Sequence, residues 1–173
     1  GEKPSTLRMI LPEAELSFKD PEIEREKIYS TMEEYLAGGV FREYKDSYVY
    51  VERKLNSGIV RRGIVGMIDL EEYDWVNDSA TPIRATEHTV EDRLPPRVTV
   101  REKASIEMPH IMIFIDDPGN YVLSSVEKGE TLYDFELMQK GGHITGWLVS
   151  DNEKVNSAFS KLSEKDELIK KYK

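Results

Sequence analysis

The sequence predicts an α+β fold: a mixed, largely antiparallel sheet built from two hairpins plus a central strand, with helices packed on it. Three observations carry that prediction. Two pairs of β-branched and aromatic runs are each joined by a glycine-bearing turn, a strongly apolar run occupies residues 110–115, and two capped segments repeat apolar residues at helical spacing. At 173 residues the chain fits one ordinary domain over residues 1–173, long enough to bury a core without disulfides or metal.

Taken in order, Asp20 caps a helix that begins at Pro21, with Glu22, Glu24 and Glu26 near its positive end and Gly38-Gly39 past its close. Ile28, Met32, Tyr35 and Leu36 share one face, as an amphipathic helix lying on a sheet requires. Runs 48–54 and 59–70 flank Asn56-Ser57-Gly58 and read as a hairpin. Gly63 and Gly66 inside the second run mark a local bend, a bulge or a close approach by another backbone. Residues 71–82 are polar and irregular, a loop. The run 110–115 reads as a buried strand closed by the turn Asp116-Asp117-Pro118-Gly119-Asn120. Runs 132–138 and 143–149 flank Gly141-Gly142, a second hairpin. Finally Asp151 caps a helix over 151–162 bearing Val155, Ala158, Phe159 and Leu162 on one side, ahead of a charged tail. Strand order does not follow from these patterns.

Composition excludes several classes of function. With 24 Lys plus Arg against 33 Asp plus Glu, a net charge of -9 repels nucleic-acid backbones. The absence of cysteine removes disulfides, thiolate metal sites and cysteine nucleophiles. Residues 111–115 are far too few to cross a bilayer and the N-terminus has no signal-peptide pattern, so a cytoplasmic protein is expected. Gly1 without an initiator Met reads as the edge of a piece cut from a longer protein.

Residues 84–101 hold the densest chemistry, with four arginines, three carboxylates, one histidine and three threonines in eighteen residues. Arg84, Arg93, Arg97 and Arg101 offer planar donor forks suited to phosphate or carboxylate, and Thr86 and Thr89 add short donors. Glu87 and His88 are candidates for proton transfer. After Pro95-Pro96 the chain can be helical, giving an Arg93, Arg97, Arg101 stripe, or extended, giving Arg97, Thr99 and Arg101 one face. Either way Arg97 and Arg101 project together. The plainer alternative is a set of solvated ion pairs, Arg84 with Glu87 or Arg97 with Glu91.

The remaining candidates are weaker. His88 lacks a partner at ligand spacing, so no metal site is assigned. His110 opens an apolar run and suits a half-buried role. His143 follows Gly141-Gly142, where either a ligand's close approach or a hairpin turn explains the glycines. Asp116-Asp117-Pro118-Gly119 lacks the spaced carboxylates of a calcium loop and reads as a turn.

The stretch Arg84-Ala85-Thr86-Glu87-His88-Thr89, followed by Glu91-Asp92-Arg93, resembles the bacterial and archaeal domain-of-unknown-function family 1015. The likeness runs over about residues 7–162, taking in Tyr35-Leu36-Ala37-Gly38-Gly39, Arg62-Gly63-Ile64-Val65-Gly66, Leu94-Pro95-Pro96-Arg97 and Gly141-Gly142-His143. That family is sometimes grouped with ParB-like proteins, some of which bind nucleotides or phosphorylate small molecules. The resemblance therefore implies phosphate binding without naming a reaction. It also implies a later Asp-Gly-His or Asp-Gly-Asn-His element that this chain does not contain, so the piece alone is expected to be inactive.

Two readings of function follow. In the first, the longer protein binds a nucleotide, with Mg²⁺, or another phosphorylated small molecule. In the second, the same charges form a non-catalytic interaction face and the hairpin edges invite pairing, including with a second copy. DNA binding by analogy with partition proteins is the least favoured.

Overall fold

The computed structural model describes residues 3–10, 21–74, 83–84, 90–108 and 111–165, and among them shows the α+β fold: four helices, a four-stranded antiparallel sheet and one two-residue parallel pair. Contacts divide the chain into two compact units, Gly1–Glu43 with Glu87–Phe114 and Tyr44–Thr86 with Ile115–Lys173.

The first unit is helical. Helix α1 (Pro21–Ala37) buries Ile28, Met32 and Tyr35, spaced by four and three residues, against Met9 and Val100. Leu36 lies at the flank and is exposed. The capping residue expected at Asp20 is outside the described residues. At its other end, Gly39 takes φ +66, Val40 N–H donates to the Tyr35 carbonyl at 2.9 Å and Gly39 N–H to that of Leu36 at 3.2 Å. These two bonds are the Schellman pattern, which satisfies carbonyls that the helix end leaves open. A 3-10 turn at Glu91–Arg93 runs into helix α2 (Leu94–Arg101). Behind α2, Ala104, Ile106 and Met108 pack on the same core.

The second unit is built on the sheet. Strands β1 (Val49–Lys54) and β2 (Val60–Val65) form the first expected hairpin, with Gly58 at φ +86 in its turn. Strand β2 stops at Val65, before the expected limit at residue 70. Gly66 follows it, and a Cβ there would meet the Tyr48 ring at 2.7 Å, while one at Gly63 would meet nothing within 4 Å, so neither glycine is approached by the backbone the sequence suggested. β3 (Tyr73–Asp74) and β4 (Ile83–Arg84) form the parallel pair. Helix α3 (Tyr121–Ser124) leads into β5 (Lys128–Leu137) and β6 (Gly142–Val149), the second hairpin. The sheet order is β2-β1-β6-β5, so the two hairpins join through β1 and β6, with Val49 opposite Leu148 and Lys54 opposite His143.

Helix α4 (Asn152–Lys165) begins as expected, with Lys154 N–H donating to Asp151 Oδ1 at 3.1 Å, and it extends three residues beyond the expected 162. Val155 and Ala158 are buried, and Val155 shares a core with Tyr50 and Val149. Trp147, Ile64, Leu123 and Phe159 close around that core. Asn152 ties the helix start to the loop before β1, donating to the Asp46 carbonyl at 2.6 Å.

Residues 111–115 require a correction. They are not a buried central strand: they form no strand, and Ile111, Met112 and Phe114 are 73%, 81% and 81% exposed. The two inner positions of the sheet belong to β1 and β6, which pair with each other and with β2 and β5. An apolar run favours burial, but burial as a strand also needs a ladder partner. His110 is outside the described residues.

Candidate functional site

The backbone of residues 94–101 is helical, which resolves the choice the sequence left open. Pro95 and Pro96 stand in the first turn of α2, where a missing N–H removes no intrahelical bond. Arg93, Arg97 and Arg101 therefore follow one another at four-residue steps along one helical run, and the strand face of Arg97, Thr99 and Arg101 does not form. Thr99 Oγ1 instead donates back to the Pro95 carbonyl at 2.7 Å, while the Thr99 carbonyl accepts from the Tyr29 hydroxyl at 2.7 Å and ties α2 to α1. Arg101, the last residue of α2, pairs with Glu107 at 2.6 Å. Both partners are exposed, so the pair adds little stability, though a cation at a helix C-terminus is well placed.

The other predicted residues divide between the units. Arg84 ends β4 in the sheet unit, whereas Arg93, Arg97 and Arg101 belong to the helical unit. Arg93 and Arg97 are placed by their backbone. Thr86, Glu87, His88 and Thr89 lie outside the described residues.

A second constellation, not anticipated from the sequence, occupies one face of the four-stranded sheet. Alternation along the strands puts Tyr50, Glu52, Arg62, Asp134, Glu136, His143, Thr145 and Trp147 on that face. Helix α4 and the Leu123 segment cover its Tyr50–Trp147 end through the shared core, and the polar residues continue beyond. Glu52 Oε1 accepts from the Tyr50 hydroxyl at 2.9 Å and from Lys128 Nζ at 3.2 Å, with Arg62 Nε at 3.5 Å. Lys128 also rests 4.0 Å above the Trp147 ring centroid. Next to this group, His143 Nδ1 lies 2.8 Å from Glu136 Oε1 and Nε2 lies 2.5 Å from Asp134 Oδ1.

The electrostatics follow from these contacts. Burial and then the bond to Glu52 push the Tyr50 phenol up to about 12. For Glu52, burial alone would raise the carboxyl, but donation from Tyr50 and Lys128 outweighs it and the net shift is downward. The bond to Glu136, aided by Asp134, raises the His143 pKa against a smaller opposing effect of desolvation. In its doubly protonated form this imidazole would donate to a carboxylate from each nitrogen. Among the described residues no group of three His, Asp or Glu side chains could hold a metal ion. The glycine beside it is explained by backbone: a Cβ on Gly142 would meet the Lys54 carbonyl oxygen at 2.2 Å. Of the two explanations the sequence allowed, ligand approach or hairpin turn, the hairpin accounts for Gly142, which takes φ +86 where β6 begins against β1.

One signal would have located this face. Tyr133-Asp134-Phe135-Glu136 alternates aromatic and acidic residues at the strand period, which predicts two carboxylates on one side of β5. The turn Asp116-Asp117-Pro118-Gly119 is a turn, as expected: Asn120 N–H donates to the Asp117 carbonyl at 2.9 Å, and Asp117 Oδ2 accepts from Val122 N–H at 2.8 Å. A shallow groove of about 350 Å³ runs between Tyr121 and Ser125 on one side and Lys154, Ser157 and Lys161 on the other. Its Lys154 is already engaged by Glu127 and lies 3.8 Å from Asp151. No helix among the described residues is long and apolar enough to cross a membrane.

A family model described as "Protein of unknown function (DUF1015)" matches residues 1–169 of the chain. No curated protein and no solved structure matches it.

Proposed function

The chain belongs to the DUF1015 family, and from that premise we propose that it binds a phosphorylated small molecule, a nucleotide first among them, through the segment that ends in helix α2. The observation that carries this reading is the four-residue spacing of Arg93, Arg97 and Arg101 along one helical run. Guanidinium groups repeated at this step can meet successive oxygens of one polyanion, and their forks match phosphate geometry. Because Glu107 offsets Arg101, Arg93 and Arg97 carry the anion contact in this reading. In this reading Thr89 adds a donor and Glu87 or His88 the proton transfer. The described residues offer no cluster that could hold a metal, so Mg²⁺ would arrive on the phosphates themselves.

The test is a thermal-shift titration of the chain with nucleotides, with and without Mg²⁺. At about 100 times the dissociation constant the ligand should stabilise the native state by roughly 2.7 kcal/mol. Arg93→Ala with Arg97→Ala should abolish the shift; a shift left intact by substitution of all four arginines would refute the assignment. A second reading, a non-catalytic interaction module, is favoured by one observation, the solvent-exposed apolar run at residues 111–115.

A further inference from the structure

We infer that residues 111–115 of one copy add as an extra strand to the outer edge of β2 in a second copy, in antiparallel register with Ile113 opposite Gly63. The inference does not depend on the anion-binding reading. It starts from two unfinished surfaces. Ile111, Met112, Ile113, Phe114 and Ile115 carry no charge, form no helix or strand, and are all exposed. The four-stranded sheet ends at β2, beyond which no further strand lies among the described residues.

The two edges of that sheet are not equivalent. β5 is irregular, its register shifting between Lys128 and Thr131 and again between Thr131 and Tyr133, and Glu130, Asp134 and Glu136 stand along it. Bulges of this kind protect an edge. β2 pairs with β1 without interruption from Val60 to Val65, contains no proline, and carries Arg61 and Arg62. The bond from Leu55 N–H to the Ile59 carbonyl at 2.8 Å sets the alternation of the hairpin ladder. By that alternation the N–H and C=O groups of Val60, Arg62 and Ile64 face outward, ready for a new strand.

Charge selects the direction. In the antiparallel register with Ile113 opposite Gly63, Asp116 lies diagonal to Arg62, while Asp117 stays in its own turn, its Oδ2 held by Val122 N–H at 2.8 Å. A parallel arrangement would place Asp116 opposite Gly66, between Val65 and Met67, where there is no cation. The turn that begins at Asp117 then ends the added strand. Side-chain chemistry agrees at each step: Met112 comes beside Ile64 and Phe114 beside the Arg62 guanidinium, while the three isoleucines extend the opposite sheet face, which carries Val65 and the exposed Phe135. Gly63 has open space where a side chain would stand, leaving room for Ile113. Two copies that each donate this strand to the other make a two-fold dimer.

The chain has no cysteine, which makes the register directly testable. A non-hydrogen-bonded antiparallel pair holds its Cα atoms about 4.5 Å apart, within disulfide range. An equal mixture of Ile113→Cys and Gly63→Cys chains, oxidised and run without reductant, should give a covalent dimer that neither variant gives alone. Light scattering should show the parent chain as a dimer and Phe114→Pro as a monomer, since proline removes an N–H that the new ladder needs and Phe114 is too exposed to hold the fold. A parent chain that is monomeric at every concentration would overturn the inference. So would a dimer that neither cross-links at this pair nor responds to Phe114→Pro, or a double variant that links only within one chain.

Discussion

Gly142→Ala and Gly58→Ala form a matched pair, because both glycines take φ +86 and differ only in what surrounds them. An alanine Cβ at Gly58 meets nothing within 4 Å, so that substitution should cost only the left-handed conformation, about 1–2 kcal/mol. At Gly142 the same atom would fall 2.2 Å from the Lys54 carbonyl oxygen and 3.0 Å from Leu55 Cα. Neither is the end of a flexible side chain, so relief requires β6 to move off β1 at the pairing of Lys54 with His143. Forced backbone shifts of this kind cost typically a further 1–3 kcal/mol. The total for Gly142→Ala is then about 2–5 kcal/mol. The assay is urea unfolding followed by Trp147 fluorescence in a Trp75→Phe background, so that the reporter sits on β6. Equal losses for the two variants would refute the close strand approach and with it the backbone explanation of Gly142.

Three further outcomes are expected. His143 has its pKa raised above the ordinary 6.5 by Glu136 and Asp134, so its contribution is fully present below pH 6.5 and is lost as pH rises through the raised value; His143→Gln should remove that part of the pH dependence of the urea midpoint, and an unchanged profile would refute the clamp. Met32→Ala, at a side chain only 2% exposed in the helical core, should cost about 2–5 kcal/mol in chemical denaturation, and a loss below 1 kcal/mol would contradict that burial. Asp151→Ala removes the acceptor of Lys154 N–H and should lower stability by roughly 0.5–2 kcal/mol, whereas Asp151→Asn, which keeps an acceptor, should recover most of it.

The segment proposed to hold an anion stood out in the sequence because four arginines, three carboxylates and three threonines crowd eighteen residues, but its geometry did not. Residues 97–101 carry Val98, Thr99 and Val100, whose β preference competes with proline's suitability for a first helical turn. Packing decided for the helix: Val100 is buried against Met9, Ile28 and Met32, and the Tyr29 hydroxyl holds the Thr99 carbonyl. The constellation around Glu52 and His143 was less legible still. Its members come from β1, β2, β5 and β6, and Glu52 and Lys128 meet across 76 positions of sequence.

By itself the sequence determined the local elements: the helix of residues 21–37 with its glycine close, the helix started by Asp151, the two hairpins and their turns. Those features rest on interactions within a few residues, helical spacing, capping and turn geometry, which composition and order express directly. Only the tertiary structure decided that β1 pairs with β6, which puts Lys54 opposite His143, and that residues 111–115 take no place in the sheet. Pairing between distant strands is a competition among partners for the same ladder groups, and its winner depends on which edges and faces remain after every other segment has packed.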